Sequence, residues 1–303
     1  MSVREIVVLG SGAERATPER ALHGYLLRWD DEGIMLDPGE GSQRRMIGAE
    51  VTATSLTRVF LSRFRADCCL GFAGLTQRIS LDRVPQAVTV WFPGGGRVYY
   101  DRLRKASVYH AAARLDPSPI EGKGQIHARK GLSLIAAPLI GEPEGYGLRL
   151  QEPDGRTMLP EALREAGVVG PEIKRLQTEG RLDKDGRTIE LDEVSVFKPG
   201  HSVAYLPETG LGPSVETLLR DADVALVHAG RSEPTEGAMS AAQVGEAARR
   251  AQTHRLVLTG FRPEGPAPEQ LEAEAKEAFG GEVGLAFDGR RIPIPRRAKG
   301  ART

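Results

Sequence analysis

Apolar residues along this chain fall into short unbroken runs in the first half and helical spacings interleaved with such runs in the second. Ile6-Val7-Val8-Leu9 is a strand pattern closed by the sharp turn Gly10-Ser11-Gly12. Residues 25–29 and 33–37 flank Asp30-Asp31-Glu32, which predicts a hairpin. Pro38-Gly39-Glu40-Gly41 breaks the chain before a helical stretch over 42–48, and 58–61 and 87–92 have the composition of buried strands. Residues 101–112 and 160–180 carry helical spacing, the latter interrupted at Gly170-Pro171. Strands are predicted at 201–206, 223–227 and 255–259, with helices at 214–220 and 241–251. Strands that pair early and alternate with helices late predict a layered α/β domain with mixed sheets. No internal repeat is present.

With 40% apolar and 27% charged residues in 303, the chain has enough apolar side chain for a packed core, and global disorder is excluded. Lys+Arg and Asp+Glu balance at 41 each, so any nucleic-acid contact must come from a local patch rather than bulk charge. The two cysteines, Cys68 and Cys69, are adjacent and make no disulfide framework, which fits a reducing cytoplasm. The first residues run straight into a strand, without a signal-peptide pattern, and no apolar run reaches the ~20 residues that span a bilayer. A soluble cytoplasmic protein without a membrane partner is expected.

The candidate chemistry lies in Phe60-Leu61-Ser62-Arg63-Phe64-Arg65-Ala66-Asp67-Cys68-Cys69-Leu70-Gly71-Phe72-Ala73-Gly74-Leu75. This block resembles the ribonuclease Z form of the metallo-β-lactamase signature, a strand ending in Thr-His-x-His-x-Asp-His followed by a Gly-x-x-Gly-Leu helix. Further segments are similar to the same family: Leu22-His23-Gly24-Tyr25, Asp37-Pro38-Gly39-Glu40, Pro138-Leu139-Ile140-Gly141 and Pro207-Glu208-Thr209. His228-Ala229-Gly230-Arg231, Ala238-Met239-Ser240 and Leu258-Thr259-Gly260 complete the set, so the resemblance spans the whole chain.

The resemblance implies a four-layer αββα metallo-β-lactamase sandwich, a single domain over 1–303, with an exosite-like arm inserted at 152–198. It also locates the family's metal site, and there this chain departs from the pattern. Arg63, Arg65, Cys68, Gly141 and Gly260 stand at ligand-histidine positions, Glu208 at the bridging aspartate, and Ala229 and Ala238 at the proton-transfer residues; Asp67 is unchanged. Two metal ions need neutral imidazoles and carboxylates, and a guanidinium has no lone pair to offer. The expectation is therefore a noncatalytic relative without zinc or another cofactor. It would act by binding tRNA-like RNA, a second copy in a homodimer, or an intact ribonuclease Z in a heterodimer. The alternative is an enzyme with altered chemistry in a cleft of Arg63, Arg65, Asp67, Cys68 and Glu208, with Asp67, Cys68 and Glu208 as residual ligands for a single metal. In that cleft the guanidiniums would lower the Cys68 pKa and make it a candidate nucleophile, or Glu208 would act as acid-base; Arg63, Arg65, Asp67, Cys68, Glu208 and His228 are the candidate anion-binding set.

In the arm, Gly170 and Pro171 resemble the family's tRNA-clamping turn, which makes Lys174, Arg175 and Arg181 RNA-contact candidates; a solvated charged face is the alternative. The basic tail over 290–303 reads either as a frayed terminus or as a phosphate-contacting strip. Gly10-Ser11-Gly12 lacks the third glycine of a dinucleotide loop, and Pro93-Gly94-Gly95-Gly96-Arg97 lacks the Lys-Ser/Thr of a phosphate loop. His23, His110, His127, His201 and His254 show no ligand spacing and are expected on the surface or in the core.

Overall fold

The computed structural model describes residues 3–129 and 131–294. Six strands come first: β1 (Arg4–Gly10), β2 (Gly24–Trp29), β3 (Glu32–Leu36), β4 (Arg58–Phe60), β5 (Val88–Pro93) and β6 (Leu115–Ile120). Between them lie α1 (Ser42–Gly48), α2 (Ala66–Cys69), α3 (Gly71–Leu81) and α4 (Arg97–Arg104). β7 (Gly124–Arg129), β8 (Leu132–Pro138) and β9 (Tyr146–Gln151) follow. An excursion then holds β10 (Gly155–Met158), α5 (Pro160–Glu165), α6 (Pro171–Glu179), β11 (Arg181–Lys184), β12 (Arg187–Glu190) and β13 (Ser195–Lys198). The chain returns with β14 (Ser202–Leu206), α7 (Pro213–Leu219), β15 (Val224–His228), α8 (Ala241–Arg250), β16 (Arg255–Thr259), α9 (Pro268–Phe279), β17 (Glu282–Leu285) and β18 (Arg291–Pro293).

Two seven-stranded sheets result, ordered β18-β1-β2-β3-β4-β5-β6 and β17-β16-β15-β14-β9-β8-β7. Each is antiparallel at one end and parallel at the other. The strands alternate apolar residues on both faces, and this dictates four layers. Ile6 and Val8 of β1 join the core between the sheets, with Tyr25, Trp91, Leu134 and Tyr205. Val7 and Leu9 face the opposite way, into a core with Met46 of α1, Leu75 of α3 and Tyr100 of α4. On the far side, Ala204 and Val227 pack with Leu218 of α7, Val244 of α8 and Leu271 of α9. The architecture is the αββα sandwich expected from the sequence.

Three local differences have physical reasons. Helix α4 ends at Arg104 rather than continuing to 112, because Val108 and its neighbours stand exposed with no core to bury them. The sequence pattern predicts no strand over 115–120, which contains Pro117 and Pro119; prolines are tolerated there because β6 is a sheet edge. Of the basic tail, 291–293 pairs with β1 as β18, and 295–303 lies outside the described residues.

The excursion builds its own small core from Leu163, Val168, Leu176, Leu182, Ile189 and Val194. It is tied at its base by β10–β13 pairing and by the Glu152 backbone N–H donating to His201 O at 2.9 Å. Among the described residues, no helix is long and apolar enough to cross a membrane.

Candidate functional site

The carboxyl ends of β3, β4, β14, β15 and β16 converge with the start of β2, the position where open parallel strands ordinarily expose functional groups. The β4 loop delivers Arg63, Arg65 and Asp67, and the β14 end delivers Glu208. Arg65 bridges them: its Nε donates to Asp67 Oδ1 at 2.7 Å and its Nη1 to Glu208 Oε2 at 2.6 Å. A single guanidinium thus joins carboxylates carried by the two different sheets. Arg63, almost fully buried, donates from Nη2 to the Glu208 carbonyl at 2.5 Å, while its Nε has no hydrogen-bond partner among the described residues. Arg231 approaches the other Glu208 oxygen at 3.4 Å.

These contacts set the charge states. Burial would raise Asp67, but the His23 imidazole and the Arg65 guanidinium outweigh it and hold the carboxyl well below its usual range. Burial likewise opposes ionisation of Glu208 and is outweighed by Arg65 and Arg231. Cys68 goes the other way. It is buried completely, and burial together with the Asp37 and Asp67 charges pushes its thiol well up despite the two arginines. Cys69 is pushed up to about 12 for the same reasons. The lowered thiol pKa expected from the guanidiniums is therefore corrected: Cys68 is a neutral thiol, not an activated nucleophile.

Behind the arginines lies a polar network between the sheets. Asp37, in a left-handed conformation with φ of 43°, accepts from the Ser62 N–H at 2.6 Å, the Ser62 hydroxyl at 2.5 Å and the Tyr205 hydroxyl at 2.6 Å. Tyr205 has one proton and gives it to Asp37, so His228 Nε2, at 3.2 Å, must donate to the phenol oxygen. Burial, with help from His23, Arg65 and Arg63, holds the His228 pKa well below 6.5. His228 is neutral, with its lone pair on Nδ1. Gly260, at φ 75°, leaves that edge open, since a Cβ there would lie 3.3 Å from Nδ1. His23 stacks on His228 with ring centroids 4.2 Å apart and reaches Tyr25 OH at 3.1 Å, which in turn meets Thr259 Oγ1 at 2.9 Å.

The structure thus brings together Arg63, Arg65, Asp67, Cys68, Glu208 and His228. Ala229 and Ala238 are buried small residues. Gly141 takes φ of 127°, and a Cβ on it would lie 3.3 Å from the Gly237 backbone, so this position does not welcome a side chain. Lys174, Arg175 and Arg181 are exposed on the excursion, where Gly170 (φ 47°) and Pro171 start α6 and Arg175 pairs with Glu179. Sequence reasoning missed His23, Tyr25, Asp37, Tyr205, Thr259 and Arg231 as site residues. His23, Tyr25, Asp37, Arg231 and Thr259 carried a signal in the motif segments around them; Tyr205 did not. His23 also takes the place expected of Glu208 beside Asp67 and Cys68: the His23, Asp67 and Cys68 ligand atoms lie within 4.8 Å of one another.

The chain is 43% identical over 303 residues to a ribonuclease Z of Salinispora arenicola, covering 98% of both chains. It is 40% identical to a ribonuclease Z of Streptomyces coelicolor, over 98% of this chain and all of that one. The chain belongs to the ribonuclease Z family. A family model described as a beta-lactamase superfamily domain matches residues 182–261. Among solved structures, the metallo-β-lactamase fold protein YhfI from Bacillus subtilis aligns with a TM-score of 0.70 at 17% identity, over 96% of this chain and 99% of that one. The short form of human tRNase Z aligns at 0.66 and 18%, again over 96% and 99%. These structures establish the metallo-β-lactamase fold. The full-length ribonuclease Z relatives overturn the expectation of a noncatalytic binding protein: the matching chains are named as nucleases, and the match covers 98% of this chain.

Proposed function

We propose that this chain is a phosphodiester-directed enzyme acting on tRNA-like RNA, and that Arg63 and Arg65 supply the positive charge for which other arrangements of this fold use metal ions. The observation that carries the reading is the Arg65 bridge between Asp67 and Glu208. A two-metal centre does not fit this residue set: the guanidinium occupies the space between the carboxylates and has no lone pair, and Gly141, Ala229, Ala238 and Gly260 provide no ligand atom. A guanidinium fork does match phosphate oxygens bidentately.

In this reading Arg65, at the rim, binds and orients the scissile phosphate, and the almost fully buried Arg63 adds its charge from behind while holding the Glu208 backbone. When a phosphate oxygen takes over Arg65, Glu208 loses one of the two guanidiniums that hold its pKa down, Arg231 remaining. It then takes the proton of the water whose oxygen bonds to phosphorus, while the P–O bond to the leaving ribose oxygen breaks and that oxygen is protonated from solvent. The rim is accessible to such a substrate, with the Arg65 and Glu208 side chains 27% and 23% exposed. The arm, with Lys174, Arg175 and Arg181 on its surface, is assigned the task of holding the RNA body.

One observation favours a second reading. His23 Nε2 is fully buried without a hydrogen-bond partner among the described residues, 3.6 Å from Asp67 Oδ2 and close to Cys68, a set that one soft divalent ion would satisfy. Cleavage of a 3′-extended tRNA precursor, with metal analysis of the purified protein, separates the two. Cleavage that survives chelator and disappears in Arg65→Ala supports the arginine site. Cleavage that needs stoichiometric metal and disappears in His23→Ala supports the single ion. No cleavage of the precursor under either condition overturns both.

A further inference from the structure

Phe64 lies between the two site arginines in sequence, and its ring turns away from them onto the Gly94–Gly96 turn. A Cβ on Gly96 would fall 2.1 Å from the Phe64 ring, so only glycine admits this contact. Phe64 then meets Tyr99 of α4 with centroids 5.6 Å apart, and Tyr99 is half exposed. Phe64, Pro93, Gly95, Tyr99 and Pro143 line a cavity of about 200 Å³. Beyond Tyr99, Arg97, Val98, Asp101, Arg102 and Lys105 form an open face along α4 and its C-terminal end. The stretch 97–105 carries Arg97, Arg102, Arg104 and Lys105 against Asp101 alone, in a chain whose formal charge is zero. Arg97 pairs with Asp101, whereas Arg102 lies over the Tyr99 ring at 5.9 Å and forms no ion pair among the described residues.

We infer that this face binds an unpaired stretch of RNA leading into the cleft, one base seated between Phe64, Tyr99 and Pro143 and its phosphates along Arg102 and Lys105. The inference rests on the RNA-directed reading above and adds where the strand runs. An exposed tyrosine beside a second aromatic ring accepts any base face, and guanidinium and ammonium groups along one helix follow a backbone. The polarity of the aromatic cavity separates base from backbone: Glu144 walls it, with its Oε1 accepting from Tyr146 OH, and a carboxylate there repels phosphate while tolerating a base edge. The other arginine-lined cavity, between Gly12 and Pro268, is less suited, because Arg15 and Arg262 already pair with Glu264 and Glu14 and Arg20 is packed against Phe261.

The test is fluorescence anisotropy with a short, 2′-O-methylated, uncleavable single-stranded oligonucleotide and a duplex of equal length. The full chain, Tyr99→Ala, Tyr99→Phe, the Arg102→Ala/Lys105→Ala pair and Arg65→Ala are compared. The expected result is preference for the single strand, roughly fivefold or greater weakening in Tyr99→Ala, and rescue in Tyr99→Phe. The Arg102/Lys105 variant should lower the slope of log affinity against log salt. Equal affinity of Tyr99→Ala and the parent overturns the inference. So does a switch from dimer to monomer in sedimentation of Tyr99→Ala, which would assign the face to a second copy. Because the probe is not cleaved, binding with these properties stands even if no precursor is processed, and precursor cleavage with unchanged Tyr99→Ala binding removes this inference alone.

Discussion

Two buried side chains behind the arginines, Tyr205 and His228, determine how the site tolerates change at the scale of single residues. Tyr205→Phe removes one hydroxyl and strands His228 Nε2 inside the sandwich, while the Asp37 oxygen it served keeps only the Ser62 hydroxyl as donor. Removing one partner from a buried polar pair costs about 1–3 kcal/mol. Urea unfolding of Tyr205→Phe should therefore show a loss in that range, and an unchanged midpoint would mean the network is not formed. His228 gives a pH signature. Its folded pKa lies below the unfolded value of 6.5, so the unfolded chain binds more protons in that window. Stability is complete above pH 6.5 and declines as pH falls below it, by up to about 1.4 kcal/mol per pH unit from this residue. His228→Asn should flatten the decline between pH 6.5 and 5; parallel curves for the two proteins would refute the assignment. Arg63, Arg65, Asp67, Cys68, Glu208 and His228 were legible in the sequence because motif frames surround them. Tyr205 was not, since an inward-facing tyrosine on a buried strand reads as core. The direction of the Cys68 shift was also hidden, because it depends on how completely the thiol is buried.

At the scale of elements, the β4–α3 segment shows how closely the loops of the site are packed. Gly71 opens α3 against the chain at Gly39, and a Cβ there would lie 1.9 Å from the Gly39 carbonyl oxygen. That neighbour is backbone and cannot rotate away. Gly74, one turn on, would meet only the end of the Gln43 side chain at 3.0 Å. Gly71→Ala is expected to cost about 1–3 kcal/mol or more, from overpacking. Gly74→Ala is expected to be neutral or to stabilise by up to ~1 kcal/mol through helix propensity. Thermal or denaturant unfolding of the pair decides it, and equal effects would contradict the packing. Strands with uninterrupted apolar runs, such as β1 and β16, were legible because burial on both faces leaves a continuous apolar signature. The β6 strand and the end of α4 were not, since edge position and lack of a covering neighbour override local propensity.

For the whole molecule, the excursion between β9 and β14 behaves as an appended unit with its own core. Its two ends meet where Glu152 pairs with the His201 carbonyl, so a short linker can replace it without stretching the sheet. Replacing 155–198 should leave cooperative unfolding of the sandwich within about 5 °C of the parent while weakening tRNA binding. Collapse of the sandwich would show that the unit is integral, and unchanged binding would remove its proposed role in holding RNA. The sequence by itself determined the layered architecture, the family and the set of residues at the rim, because periodic apolar runs and motif spacing are local properties of the chain. Only the tertiary structure decided how those residues act on one another. The contact of Arg65 with Glu208 joins residues 143 positions apart, and the His23–His228 stack joins groups carried by opposite sheets. Burial at the seam then sets which of these groups carries charge, since desolvation and neighbouring charge depend on where all the elements come to rest.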